Sequence, residues 1–191
     1  MDSTQLNLAV QLREHALLEG DFVLRSGRRS SYYLDKYRFE TRPELLGPIG
    51  ERLAAAAHEC EPGATLLAGP ALGAVALAAS ASLAGGLPFV IVREEAKSYG
   101  TGNRIEGSFA AGDLVCLIED VVTSGGALAS AVEALRSEEL VVRNAVCVVD
   151  REEGGADALA RMGVRLRSLF RAGELLSRAK SAESSPGKPH G

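Results

Sequence analysis

Cysteine is scarce in this chain. The three that occur, Cys60, Cys116 and Cys147, have no paired spacing. Cys116 and Cys147 fall inside apolar runs, which reads as buried free thiols in a reducing compartment. Histidine is equally sparse, and positions 15, 58 and 190 are too scattered for a metal-ligand cluster. An excess of positive charge is missing as well. With 21 Lys and Arg against 25 Asp and Glu, the net charge is −4, which argues against binding nucleic acid through a broad basic face. The opening MDSTQLNLAVQLREHALLEG lacks an apolar core of signal-peptide length. Residues 62–92 carry no charge at all, yet a membrane-spanning helix needs about 20 continuous apolar residues. Here Gly69-Pro70, Gly73, Gly85-Gly86 and Pro88 interrupt the run. These absences predict a soluble, cytoplasmic protein with no nucleic-acid or membrane partner.

What is present suits one α/β domain. The 191 residues are 46% apolar and 24% charged, enough for a single well-buried core. The pattern predicts a first helix over about 4–18 closed by Gly20, then an antiparallel pair at 22–24 and 32–34 around the turn-like RSGRRS. Pro43 opens a helix with apolar residues at Leu45, Ile49, Leu53 and Ala56. Short apolar strands then alternate with helices: strands at 65–68, 88–92, 114–118, 140–149 and 164–168, and helices near 73–84, 126–136, 156–162 and 172–179. That order predicts a mainly parallel central sheet covered by helices on both faces. Residues 1–180 form one domain, with a small N-terminal appendage over 1–40. Residues 181–191, SAESSPGKPHG, read as a disordered tail.

The most informative stretch is VCLIEDVVTSGGALASAVEALR, residues 115–136. An apolar strand meets two adjacent carboxylates, Glu119 and Asp120, and then a small hydroxyl- and glycine-rich turn opens an amphipathic helix. In an open α/β sheet, ligands sit at the carboxyl ends of the strands. Glycines let backbone N–H groups approach an anion there, and the helix N-terminus adds partial positive charge. Paired acids fit a phosphate poorly but fit the vicinal hydroxyls of a ribose well. A ligand carrying both groups satisfies the whole stretch. The plainer alternative is a capped helix after a strand, with two solvated acids. No Gly-x-x-x-x-Gly-Lys-Ser/Thr and no Gly-x-Gly-x-x-Gly follows a strand.

CLIEDVVTSGGA resembles the signature by which type I phosphoribosyltransferases bind phosphoribosyl pyrophosphate (PRPP). Three further blocks resemble one branch of that family, the orotate phosphoribosyltransferases. They are FVLRSGRRSSYYLDKYRFETRPELL (22–46), VREEAKSYGTGNRIEG (92–107) and VVDREEGGADAL (148–159), and their order and spacing match over nearly the whole chain. The resemblance implies the type I phosphoribosyltransferase fold, with residues 1–40 contributing a small N-terminal hood. It also implies that PRPP is bound by Glu119, Asp120, Val121, Val122, Thr123, Ser124, Gly125, Gly126 and Ala127. Ala71, Leu72 and Gly73, which alone would read as a breaker turn, match the loop lying against pyrophosphate. Some relatives carry a lysine in that loop and this chain has none.

Residues 93–106, alone a polar surface loop, match a lid shared across a homodimer. In it Arg93, Lys97 and Tyr99 reach PRPP in the neighbouring subunit, with Lys97 and Arg93 as the catalytic cations. Glu94 stands where the family pattern has lysine. Arg151, otherwise an ordinary surface arginine at a strand end, matches the residue that meets the orotate carboxylate, with Thr123 near the base. Arg25 and Tyr33 match positions closing over it, although the family commonly has lysine at the first and an aromatic in place of Leu34. The implied reaction joins orotate to PRPP, giving orotidine 5′-monophosphate and pyrophosphate in pyrimidine synthesis, with Mg2+ riding on the substrate. A phosphoribosyltransferase for another base and a PRPP-sensing regulator remain the alternatives.

Overall fold

The computed structural model describes residues 3–23, 27, 29–95 and 103–183; Arg25, Lys97 and Tyr99 lie outside them. The chain begins with helix α1 (Ser3–Ala16), which buries Leu8, Ala9, Leu12 and Ala16 along one face. The helix stops short of the predicted end near residue 18. Gly20 does not close it, because strand β1 (Leu17–Val23) runs through that glycine. Pairing explains the difference. β1 lies antiparallel to β2 (Arg29–Leu34), with Leu17 opposite Leu34 and Leu18 opposite Tyr33, so the hairpin register claims residues that the helical pattern would have taken. An irregularity between Glu19 and Phe22 absorbs Gly20. A single-turn helix α2 (Tyr37–Glu40), which the periodicity does not predict, leads into α3 (Pro43–Cys60). α3 opens on proline as expected, where the missing N–H costs nothing.

The main sheet contains β3 (Leu66–Pro70), β4 (Phe89–Val92), β5 (Ile105–Glu106), β6 (Leu114–Val122), β7 (Val141–Asp150) and β8 (Arg165–Arg171). Their spatial order is β5-β4-β3-β6-β7-β8. All neighbours pair in parallel except β5, which runs antiparallel to β4 and was not predicted. The connecting helices are α4 (Ala74–Gly85), α5 (Gly126–Ser137) and α6 (Gly155–Arg161). A final helix, α7 (Ala172–Glu183), continues three residues into the segment read as a tail.

Strand side chains alternate between the two faces and so build two cores. Leu67, Cys116, Ile118 and Val146 pack with α1, α3, α4 and α7. Leu66, Ala68, Val115, Leu117 and Cys147 pack with α5 and α6. The mainly parallel, doubly covered sheet is therefore as the sequence predicts. Cys116 and Cys147 are buried and Cys60 half-buried, all three as free thiols. No helix among the described residues is long and apolar enough to cross a membrane.

Candidate functional site

Strand β6 extends four residues past its predicted end at Ile118, so Glu119 and Asp120 are strand residues rather than loop residues. Both are buried, at 6% and 3% exposure. Consecutive strand positions send their side chains to opposite sides. Asp120 lies on the side of the N-terminal hairpin, where its Oδ2 accepts a 2.6 Å bond from Lys36 Nζ. Its Oδ1 accepts from the Val121 N–H, and its own N–H donates to Glu119 Oε1 at 3.0 Å. Glu40, from α2, is buried nearby with its Oε1 lacking a hydrogen-bond partner.

Three acids crowd around one ammonium, and their ionisation reflects it. Burial, reinforced by the Asp120 charge, raises the Glu119 pKa from 4.5 to about 8. Burial and the same neighbour raise Glu40 to about 8. Burial alone would depress Lys36, but its hydrogen bond and charge attraction to Asp120 outweigh this and hold it above its ordinary value.

Lys36, Glu119 and Asp120 face a cavity of about 600 Å³ at the carboxyl end of the sheet. One wall is the turn after β3, with Ala71, Leu72 and Gly73, and the Ala71–Leu72 peptide is cis. The opposite wall is the turn after β6, with Val121, Thr123, Gly126 and Ala127. A second hollow of about 380 Å³ adjoins it and adds Val122, Ser124 and Gly125. Thr123, Ser124, Gly126 and Ala127 are exposed, and the first N–H groups of α5 open toward any anion placed there. Gly125 has φ +82°, and a Cβ on it would meet the Gly155 backbone at 3.1 Å. Gly155 is as tight: a Cβ there would strike Val122 and come within 2.7 Å of the Thr123 carbonyl. The anion-binding turn thus rests on the start of α6, a support that sequence reasoning missed.

Arg93 and Glu94 sit at the mouth of the cavity, where Glu94 is exposed and Arg93 lies 3.9 Å from Glu106. Arg104 was also missed. It lines the cavity and donates to Ser130 of α5 at 3.0 Å, while the Arg93 N–H donates to its carbonyl. Arg151 follows β7, beside the end of β6, where its N–H donates to the Val122 carbonyl at 2.9 Å. Its side chain is only 8% exposed, with Nε 3.2 Å from Glu153 and the guanidinium 4.9 Å from the Tyr32 ring centroid. Tyr33 is on the other face of β2, 42% exposed and packed 5.7 Å from the Phe22 ring. The hairpin thus turns Tyr32 rather than Tyr33 toward Arg151. Lys36 and Tyr32 were unmarked in sequence because only the folded hairpin brings them to the strand ends.

No protein-family model matches the chain. It is 48% identical over 157 residues to the orotate phosphoribosyltransferase of Methanocella arvoryzae, covering 82% of this chain and 88% of that one. It superposes on the crystal structure of orotate phosphoribosyltransferase from Aeropyrum pernix with a TM-score of 0.81 and 36% identity, covering 91% of this chain and 98% of the other. The Mycobacterium tuberculosis orotate phosphoribosyltransferase crystallised with PRPP gives a TM-score of 0.74 and 30% identity, with 90% and 98% coverage.

Proposed function

The chain belongs to the orotate phosphoribosyltransferase family, and on that premise we propose how its cavity transfers a 5-phosphoribosyl group from PRPP to orotate. The observation that carries the reading is the joining of three features in one cavity: the acid pair, the anion-binding turn and the turn after β3. The 5′-phosphate of PRPP binds the N–H groups and hydroxyls of residues 123–127. The ribose hydroxyls donate to Glu119 and Asp120, and the pyrophosphate lies along residues 71–73. A ring nitrogen of orotate forms a bond to the anomeric carbon as that carbon's bond to the pyrophosphate oxygen breaks on the opposite face. The electron pair leaves with pyrophosphate, and the proton of the ring nitrogen passes to solvent. Catalysis of this kind rests on positioning and on charge stabilisation.

Arg151, held from below by Tyr32 and from the side by Glu153, offers its guanidinium to the orotate carboxylate, with Thr123 close to the base. Arg25 closes over the base, and the hairpin aromatic that borders it is Tyr32, facing Arg151, rather than Tyr33. Arg93, Lys97 and Tyr99 come from the lid, residues 93–106, of a second copy of the chain. A lid shared in this way makes the working form a homodimer. Mg2+ would ride on the oxygens of PRPP and pyrophosphate rather than in a protein cage, and there it would screen the charge growing on the leaving group. The working compartment is the cytoplasm.

The direct test is to incubate the purified protein with PRPP, Mg2+ and each of several bases. Orotate absorbance should fall while purines remain unconsumed. Turnover of a purine instead would reassign the base, and turnover of none would favour a PRPP-sensing regulator.

A further inference from the structure

We propose that Lys36 is a substrate-binding residue whose ammonium holds the pyrophosphate group, supplying from the hairpin side the cation that residues 70–73 lack. This rests on the reading of the cavity as a PRPP site. Four observations carry it. Lys36 lines the cavity together with Ala71, Leu72 and Gly73. Its side chain keeps 33% exposure although its partner Asp120 keeps 4%, so the ammonium is not sealed inside an ion pair. It spends one N–H on Asp120 and lies 5.4 Å from the Tyr37 ring centroid. A lysine ammonium has three donors, so two remain for a ligand.

The fourth observation concerns Gly73. Its φ of −59° and ψ of −47° are open to any L-residue, so its glycine is not there for conformation. A Cβ at Gly73 would instead strike both Asp120 Oδ2 and Lys36 Nζ. The turn after β3 is therefore pressed directly against the ammonium, with only a hydrogen atom's width to spare. An anion bound by this turn's N–H groups comes within reach of Lys36 Nζ without rearrangement of the backbone.

Charge gives the arrangement its purpose. Glu119, Asp120, Glu40 and Glu94 all lie in or beside the cavity, and a polyanion entering it needs a nearby positive group. Lys36 meets this need twice, by offsetting Asp120 and by donating to the leaving group as its charge grows.

The experiment is calorimetric titration with inorganic pyrophosphate and Mg2+ of the wild type, Lys36→Met, Lys36→Arg, Asp120→Asn and the Lys36→Met/Asp120→Asn double variant. Losing a charge-assisted hydrogen bond should weaken pyrophosphate binding about 10- to 100-fold in Lys36→Met. Lys36→Arg should recover most of that loss. The double variant also removes the acid that Lys36 pairs with, so it guards against a folding defect from an orphaned Asp120 charge. It should still bind pyrophosphate at least about tenfold more weakly than Asp120→Asn. Weakening in the wild-type background alone would make Lys36 a mere counter-ion of Asp120 and overturn the proposal, as would wild-type affinity in both backgrounds. A wild type that binds no pyrophosphate would overturn the reading of the cavity itself. In steady-state assays, KM for PRPP should rise in Lys36→Met while KM for orotate stays within about twofold of wild type.

Discussion

Glu40 illustrates how much one carboxyl can reveal. It is 6% exposed, close to Asp120, and its Oε1 has no hydrogen-bond partner. Burial and the neighbouring charge raise its pKa from 4.5 to about 8. The folded chain therefore keeps a proton that the unfolded chain releases near its ordinary value. This contribution to stability is complete below about pH 4.5 and drains away as pH rises toward 8. Glu40→Gln should flatten that decline and raise stability at pH 8 by on the order of a few kcal/mol. Urea unfolding at pH 5.5 and pH 8 measures it, and an unchanged pH slope would refute the assignment.

Glu94 makes a second residue-level test. Exposed at the cavity mouth, it puts a negative charge where PRPP enters. Glu94→Lys should lower KM for PRPP several-fold, with the largest change at low ionic strength, as roughly expected for an exposed charge. An equal or higher KM would place Glu94 away from the phosphates. Both acids can be seen in the sequence, but only Glu94 stood out there, as a departure from a motif. Glu40 looks like any charged residue in a short connector, and its burial depends on α3 and Asp120 enclosing it.

At the level of elements, the sequence declares the strands and helices whose apolar pattern is set by the two main cores. The parallel strands at β3, β4, β6, β7 and β8 and the helices α3 to α6 fall close to where periodicity puts them. It misplaces the elements fixed by partners far along the chain. β1 takes the end of the predicted first helix because Leu17 pairs with Leu34. β5 is a strand only because Ile105 and Glu106 pair with β4. The site divides in the same way. The acid pair and the turn at 123–127 are contiguous and legible, whereas Lys36, Arg104 and Gly155 reach the site only through tertiary packing.

Gly155 lends itself to an element-level prediction. A methyl group there meets Val122 and the Thr123 carbonyl, so Gly155→Ala should cost about 1–3 kcal/mol by overpacking. It should also raise KM for PRPP by tilting the turn. Denaturant titration and initial rates check the two effects. If both stay at wild-type values, the turn does not rest on α6.

On the scale of the whole molecule, the proposed sharing of the lid between subunits makes a prediction about mixtures. Lys97→Ala and Asp120→Asn should each be nearly inactive alone. Refolded together in equal amounts, they should recover about a quarter of wild-type sites, because each mixed dimer contains one site with both native residues. No recovery would mean that each lid serves its own subunit. A further consequence follows from where Arg151 lies along the backbone. Residues 151–155 carry the guanidinium at one end and the glycine beneath the phosphate turn at the other. On the roles proposed for Arg151 and for the turn at 123–127, an engineer hoping to exchange orotate for another nucleobase would be editing the same five-residue strut that braces the sugar phosphate. Selectivity for the base and affinity for the activated sugar are thereby tied together, and variants that improve one should be screened for damage to the other.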